Sequence, residues 1–275
     1  MKSHLHIALM QIDIQWEQID ENLQQIAQQL ATLPGETEVV FLPEMFATGF
    51  SMHAEKLAQP MNGKIVQWMR ELAYQHRIIL CGSVIIYDEG NYWNRLIWMQ
   101  PDGNFGTYDK RHLFAYAEEN KYYTPGYRQL IVQVNGWRIA LCICYDLRFP
   151  VWCAQQPTDD GSAAYDVLAV IASWPASRIE AWDLLLRARA LENQAYVIGV
   201  NRVGEEPPAT PHASHGTQYP GHSAIVDPVG KWLYHSTHPQ PEIITHTLSA
   251  QHLQQVRKHF PFLRDRDRFT ILNHE

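Results

Sequence analysis

Apolar and polar positions along this chain switch between two periods, and the switches outline its elements. Leu5 to Met10 reads as a strand. From Ile19 the apolar residues Leu23, Ile26, Ala27, Leu30 and Leu33 recur at helical spacing until Pro34-Gly35 ends the run. Glu38 to Leu42 is a short buried strand stopped by Pro43, and Ile65, Val66, Met69, Leu72 and Ala73 line one face of a second helix. Ile78 to Tyr87 and Tyr92 to Gln100 are strands around the turn Asp88-Glu89-Gly90-Asn91. Phe105 to Asp109, Trp137 to Ile143, Asp166 to Ala172 and Tyr196 to Asn201 predict further strands. Others fall near Ala224, Trp232 and Ile243, before a last helix from about Ser249. Ser177 and Glu180 have the spacing of a capping box, opening a helix that should turn Leu184, Leu185, Ala188, Leu191 and Ala195 inward. Strands alternating with helices, with hairpins mixed in, define an α/β layered fold. No Pro/Gly/Ser linker separates two cores, so residues 1–275 are expected to form one domain. Its core is expected over about 5–248, with a C-terminal helix and arm over about 249–275.

Three of these strands end in residues that carry chemistry. Glu44 follows Val39-Val40-Phe41-Leu42 within Leu42-Pro43-Glu44-Met45-Phe46. An apolar setting raises a carboxyl pKa and suits it to base work, although a strand-end acid taken alone is usually solvated. Lys110 follows Phe105 to Asp109 in the cluster Asp109-Lys110-Arg111-His112, which by itself reads as a solvated turn. Cys144 closes the strand Arg138 to Ile143. Alternation puts Ala140, Cys142 and Cys144 on one face and cannot choose between the two thiols, but position can. Cys142 lies within the strand as a small buried residue. Cys144 lies where the chain turns towards a helix, leaving the backbone N–H of Tyr145 to face an oxyanion. Cys81 and Cys153 read as core residues. Open α/β sheets bind ligands at the carboxyl ends of their strands, so an acid, an amine and a thiol can meet in one cleft. There Glu44 would take the thiol proton, and Lys110 would hold the charge developing on a substrate oxygen.

Leu42-Pro43-Glu44-Met45-Phe46, Tyr108-Asp109-Lys110-Arg111-His112-Leu113 and Cys144-Tyr145-Asp146-Leu147-Arg148-Phe149-Pro150 resemble the three motif blocks of the nitrilase, or carbon–nitrogen hydrolase, superfamily. Their order matches, and the resemblance runs from Ile7 to about Leu263. It implies a four-layer α-β-β-α sandwich with Glu44 as general base, Lys110 as charge-stabilising lysine and Cys144 as nucleophile. It also implies a second glutamate after the lysine block, placed at Glu119 with Glu118 as the other register. Ser173-Trp174-Pro175, the segment Arg187 to Tyr196 and Asn201-Arg202-Val203-Gly204 look most like the bacterial omega-amidases. That likeness implies ammonia release from omega-amides such as 2-oxoglutaramate and 2-oxosuccinamate through a cysteine thioester. Another amidase, a nitrilase or an N-carbamoyl amide hydrolase would use the same triad. Trp174 would line the pocket, with plain core packing as the alternative. Arg148 would meet a substrate carboxylate or else bridge to an acid such as Asp146. No metal or organic cofactor is implied. Family members usually dimerise, so a homodimer is expected, with the arm from Phe260 to Phe269 packed across it.

Composition narrows the partners. Twenty-nine acids against 22 bases leave a net charge of −7, which argues against binding a nucleic-acid backbone. With 46% hydrophobic and 19% charged residues, the chain is too apolar to be disordered. No apolar run reaches the roughly 18 residues of a membrane span, and Met1 to Met10 has no signal-peptide pattern. Four cysteines at irregular spacing make no disulfide framework, so a reducing cytoplasm is expected. Gly204 to Gly221, rich in proline and histidine, reads as a long surface loop able to act as a lid. The 14 histidines raise a metal-binding alternative at His212, His215 and His222, but no zinc-ligand spacing accompanies them.

Overall fold

Two six-stranded mixed sheets lie face to face in the computed structural model, which describes residues 1–158, 162–207 and 216–272. The first half of the chain supplies β1 (His4–Gln11), β2 (Val39–Phe41), β3 (Ile79–Asp88), β4 (Asn91–Met99) and β5 (Phe105–Asp109). The second half supplies β6 (Leu130–Val134), β7 (Trp137–Ile143), β8 (Val167–Ala172), β9 (Tyr196–Asn201), β10 (Val203–Glu206) and β11 (Thr217–Pro220). It ends with β12 (Ala224–Val226), β13 (Trp232–His235) and β14 (Glu242–Ser249). One sheet has the order β14-β1-β2-β3-β4-β5 and the other β13-β12-β9-β8-β7-β6, while β10 and β11 pair as a separate ribbon. The helices are α1 (Ile19–Leu30), α2 (Ala54–Leu57), α3 (Lys64–His76), α4 (Pro150–Cys153), α5 (Ile179–Asn193) and α6 (Ala250–His259).

Strand alternation builds the layers. Leu5, Ile7 and Leu9 of β1, Phe41 of β2 and Trp98 of β4 join one core with Trp137, Ile139 and Leu141 of β7. Ala8, Met10, Val40, Leu80 and Ile97, on the opposite face of the same strands, pack against Leu23 and Ile26 of α1 and Ile65, Val66 and Met69 of α3. The first core continues through the second sheet to Trp182, Leu186 and Ala190 of α5 and Leu253 of α6. Both faces of each sheet are therefore covered, and the result is the expected four-layer α-β-β-α sandwich. Burial on both faces also explains why Val39 to Leu42 is continuously apolar rather than alternating.

Three local expectations change. The chain uses no capping box at Ser177: a 3-10 turn occupies Ala176–Arg178, so α5 starts one residue later, with Arg178 at its N-cap and no side-chain cap. The inward face of α5 is Trp182, Leu186, Arg189, Ala190 and Asn193, while Leu184 and Leu191 are exposed. Two polar residues on that buried stripe misled the apolar count. Arg189 donates to the Leu147 carbonyl at 2.7 Å, and Asn193 accepts from the Gln155 N–H at 2.6 Å. Second, the two ends of the expected 204–221 loop are not loop at all, since β10 and β11 zip them together. His212 and His215 lie outside the described residues. Third, β6 was not predicted, yet a signal for it exists. Asn135-Gly136, with φ of 50° and 83°, is the left-handed pair that a tight hairpin requires between two strands.

Candidate active site

Glu44, Lys110 and Cys144 stand just beyond the carboxyl ends of β2, β5 and β7, and the sandwich brings them together. Pro43 stops β2, and Met45 takes a left-handed φ of 47°, turning the chain sharply around Glu44. The Ser83 hydroxyl accepts the Met45 N–H at 2.8 Å. The turn needs Gly82 beneath it, because a Cβ there would lie 2.7 Å from Phe46.

The Glu44 carboxylate is fully buried, and its setting is more polar than its apolar neighbours suggested. One oxygen accepts from Lys110 Nζ and from Asn94 Nδ2, both at 2.8 Å, and the other accepts from the Ser173 N–H at 2.9 Å. Lys110 is 1% exposed, so the solvated-turn alternative fails. Its ammonium also reaches both oxygens of Glu119, at 3.0 and 2.8 Å. Burial alone lowers the Lys110 pKa, but the carboxylates of Glu119 and Glu44 outweigh it and raise the value, so the lysine stays charged. Between the two glutamate registers the geometry chooses plainly. Glu119 is fully buried on Lys110, whereas Glu118 is exposed and pairs with Lys121. Burial raises the Glu119 pKa, Lys110 opposes that, and Glu44 adds to it.

Cys144 has a φ of 47°, a strained value for a residue with a side chain, at the junction of β7 and a 3-10 turn over Cys144–Arg148. Asp146 holds this elbow. Its carboxylate accepts from the Ile143 N–H at 3.0 Å, from the Tyr108 hydroxyl at 2.6 Å and from the His112 N–H at 2.9 Å. Tyr108 and His112 flank Lys110, so one buried acid stitches the lysine block to the cysteine block. Arg148 is not among its partners, and the Asp146 bridge considered for that arginine does not form. The Cys144 thiol donates to the Ser173 carbonyl at 3.9 Å, and its pKa is raised by burial first and by the nearby Glu44 second, with Lys110 opposing. It is therefore a neutral thiol at rest. Tyr145 is the second residue of the 3-10 turn, within the first turn, where backbone N–H groups lack partners inside the turn itself. Cys81, Cys142 and Cys153 are buried, as expected of core cysteines.

Cys144 opens onto a cavity of about 330 Å³ walled by Trp174, Arg148, Arg178, Phe50, Phe114 and Tyr219, among others. Arg148 lies over the Trp174 ring at 4.9 Å, and the Trp174 indole N–H donates to the Arg178 carbonyl at 2.8 Å. Trp174 thus both packs in the core and lines the cavity. Sequence reasoning missed Asn94, Ser173, Arg178 and Glu206. Ser173 obeys the rule used for the others, since it is the first residue past β8. Asn94 sits on the otherwise apolar inward run of β4, and its amide bridges Glu44 and Glu119. Glu206 ties the ribbon to the cavity wall by accepting from Arg202, the Tyr219 hydroxyl and the Phe50 N–H at 2.5, 2.6 and 2.8 Å. His222 has different companions from those expected. Asp183 accepts from His222 Nδ1 at 2.9 Å and from His235 Nε2 at 3.1 Å, a hydrogen-bonded trio away from the cavity lining.

The fold and this cluster define a hydrolase of carbon–nitrogen bonds. The sequence profile of the carbon–nitrogen hydrolases matches residues 6–258, and the chain belongs to that family. Among its relatives is the omega-amidase YafV of Escherichia coli strain K12, 39% identical over 269 residues that cover 97% of this chain and 98% of the relative. The 2-oxoglutaramate amidase of Bacillus subtilis is 28% identical over 262 residues, covering 94% of this chain and 96% of its own. Among solved structures, XC1258 of Xanthomonas campestris, a CN-hydrolase superfamily protein with an arsenic adduct in its active site, superposes with a TM-score of 0.92. It is 37% identical, with 98% and 99% of the two chains covered.

Proposed function

We propose that this protein is an omega-amidase, releasing ammonia from the terminal amide of 2-oxo dicarboxylic acid monoamides such as 2-oxoglutaramate. The observation that carries this reading is the buried Glu44–Lys110–Glu119 cluster beside the Cys144 thiol, in a chain that has omega-amidases among its near-full-length relatives. A neutral thiol must lose its proton as it attacks, and Glu44 is the base in reach. Sγ adds to the amide carbon, and the oxyanion is held by Lys110 Nζ and the Tyr145 N–H. Glu44 then passes the proton to the nitrogen, the C–N bond breaks, and ammonia leaves a thioester on Cys144. Glu44 next deprotonates a water that attacks the thioester, while Glu119 keeps Lys110 and Asn94 in place. The acid departs and the thiol is restored.

The test is a panel read by ammonia release: 2-oxoglutaramate, 2-oxosuccinamate, a nitrile and an N-carbamoyl amino acid. Preference for either of the last two would replace this reading with another branch of the family. A cytoplasmic homodimer is part of the proposal. Leu184 and Leu191, exposed on α5, supply an apolar face for the second copy. No helix among the described residues is long and apolar enough to cross a membrane.

A further inference from the structure

We infer that Asp183, His222 and His235 form a binding site for a first-row divalent transition ion of the zinc type. The ion ties α5 to the strands β12 and β13. It lies outside the cavity lining, takes no part in the amide chemistry, and does not depend on the substrate proposed above.

Among the described residues these three are the one group of such donors within reach of a single ion. Each offers one ligand atom, and the three atoms lie within 4.8 Å of one another. They come from separate elements: Asp183 from α5, His222 from the residues before β12, and His235 from the end of β13. The carboxylate already faces both imidazoles, with one oxygen 2.9 Å from His222 Nδ1 and the other 3.1 Å from His235 Nε2. Bonds of about 2.0–2.1 Å set the donors around a tetrahedral zinc ion about 3.3 Å apart, so closing this set takes side-chain shifts of about 1 Å. Asp183 stands 39 and 52 positions from its two histidines, which is why no ligand spacing along the chain announces the set. It shares only His222 with the histidine cluster read from the sequence.

Contacts that an ion would not disturb hold the ligands in place. His222 has a left-handed φ of 62° directly after Gly221 at 79°, and its carbonyl accepts the Trp182 indole N–H at 2.8 Å. Trp182 is the neighbour of Asp183, so α5 is fastened to His222 beside the site. The Ser236 N–H donates to the Ser223 carbonyl at 2.9 Å, which pins together the residues that follow the two histidines. Trp232 lies flat on the His235 ring, with centroids 4.4 Å apart and planes 8° from parallel. All three side chains are partly exposed, which gives an ion a way in and leaves its fourth position to water. Two imidazoles and a carboxylate suit zinc and its neighbours, whereas magnesium and calcium take oxygen donors. On binding, each neutral imidazole carries its proton on the ring nitrogen facing away and turns a lone pair to the ion, replacing its hydrogen bond to Asp183.

The experiment takes the full chain without an affinity tag, strips it of metal by dialysis against a chelator, and titrates it with zinc chloride by calorimetry. Wild type should bind one zinc ion at this site, and zinc at about 100 times the measured Kd should raise Tm by about 5 °C. Crystals grown with zinc should show an anomalous peak between the three side chains. Asp183→Ala, His235→Gln and His222→Asn, the last chosen because asparagine tolerates the left-handed backbone, should each weaken binding by at least about 100-fold and remove the rise in Tm. His212→Ala combined with His215→Ala should keep both. Metal-free wild type should still release ammonia, so failure of the site and failure of the amidase reading are told apart. An anomalous peak elsewhere, zinc uptake unchanged in the three variants, or no saturable binding by wild type would overturn the site and leave a trio joined by hydrogen bonds alone.

Discussion

The single residues to which the chemistry is assigned have each been denied water. Lys110 pairs with two buried carboxylates, so its removal would leave charge uncompensated. Lys110→Met should abolish turnover and lower stability by about 3–5 kcal/mol in denaturant titration. Adding Glu119→Gln to that variant should restore part of the stability and none of the activity. At Cys144 the change to alanine removes one sulfur atom, while Asp146 still holds the elbow through the Ile143 N–H. Cys144→Ala should lower ammonia release by about 10⁴-fold or more with little change in Tm. Retained ammonia release would remove Cys144 from the mechanism. Cys142→Ala should stay active, because its thiol lies inside β7 and lines no part of the cavity.

At the scale of elements, α5 connects the site to the rest of the second sheet. Its N-cap is Arg178 on the cavity wall, and it packs Trp182 and Leu186 on β9 so closely that a Cβ at Gly199 would lie 2.7 and 2.6 Å from them. Gly199→Ala should therefore destabilise the protein by about 1–3 kcal/mol, read as a lowered denaturation midpoint. The same helix carries Asp183, which His222 and His235 hold from the far side. Burial raises the Asp183 pKa, but hydrogen bonds from the two imidazoles outweigh it and bring it down to about 2 from an ordinary 3.8. A carboxyl whose pKa is lowered on folding stabilises the fold above its unfolded value, and that contribution is lost as pH falls from about 4 to about 2. Asp183→Asn should narrow the gap to wild type across that window. A gap that stays constant from pH 6 to pH 2 would contradict this assignment.

Across the whole molecule, the two sheets contribute different parts of one site. β2, β4 and β5 of the first sheet bring Glu44, Asn94 and Lys110, while β7 and β8 of the second bring Cys144 and Ser173. Loosening the sheets against each other should thus cost activity before it costs secondary structure. Light scattering should report twice the 31.8 kDa chain mass for the proposed dimer. Leu184→Glu with Leu191→Glu should shift it towards monomer, and a wild-type monomer would overturn the homodimer.

Much of this was legible along the chain. Strand alternation, helical spacing and residue type at strand ends are local properties, and they placed most strands, both long early helices and the Glu44, Lys110 and Cys144 positions. Resemblance then supplied their roles and Glu119. What the chain could not show was which face of α5 is inward, because Arg189 and Asn193 count as polar until their partners at Leu147 and Gln155 are known. Nor could it show that Asp146 clamps the elbow, that Asn94 bridges two glutamates, or that Arg148 rests on Trp174 rather than on an acid. Burial, pairing and charge balance depend on residues far apart in sequence, 129 positions for Glu44 and Ser173 and 156 for Phe50 and Glu206, and only the folded packing brings such groups within reach of a hydrogen bond.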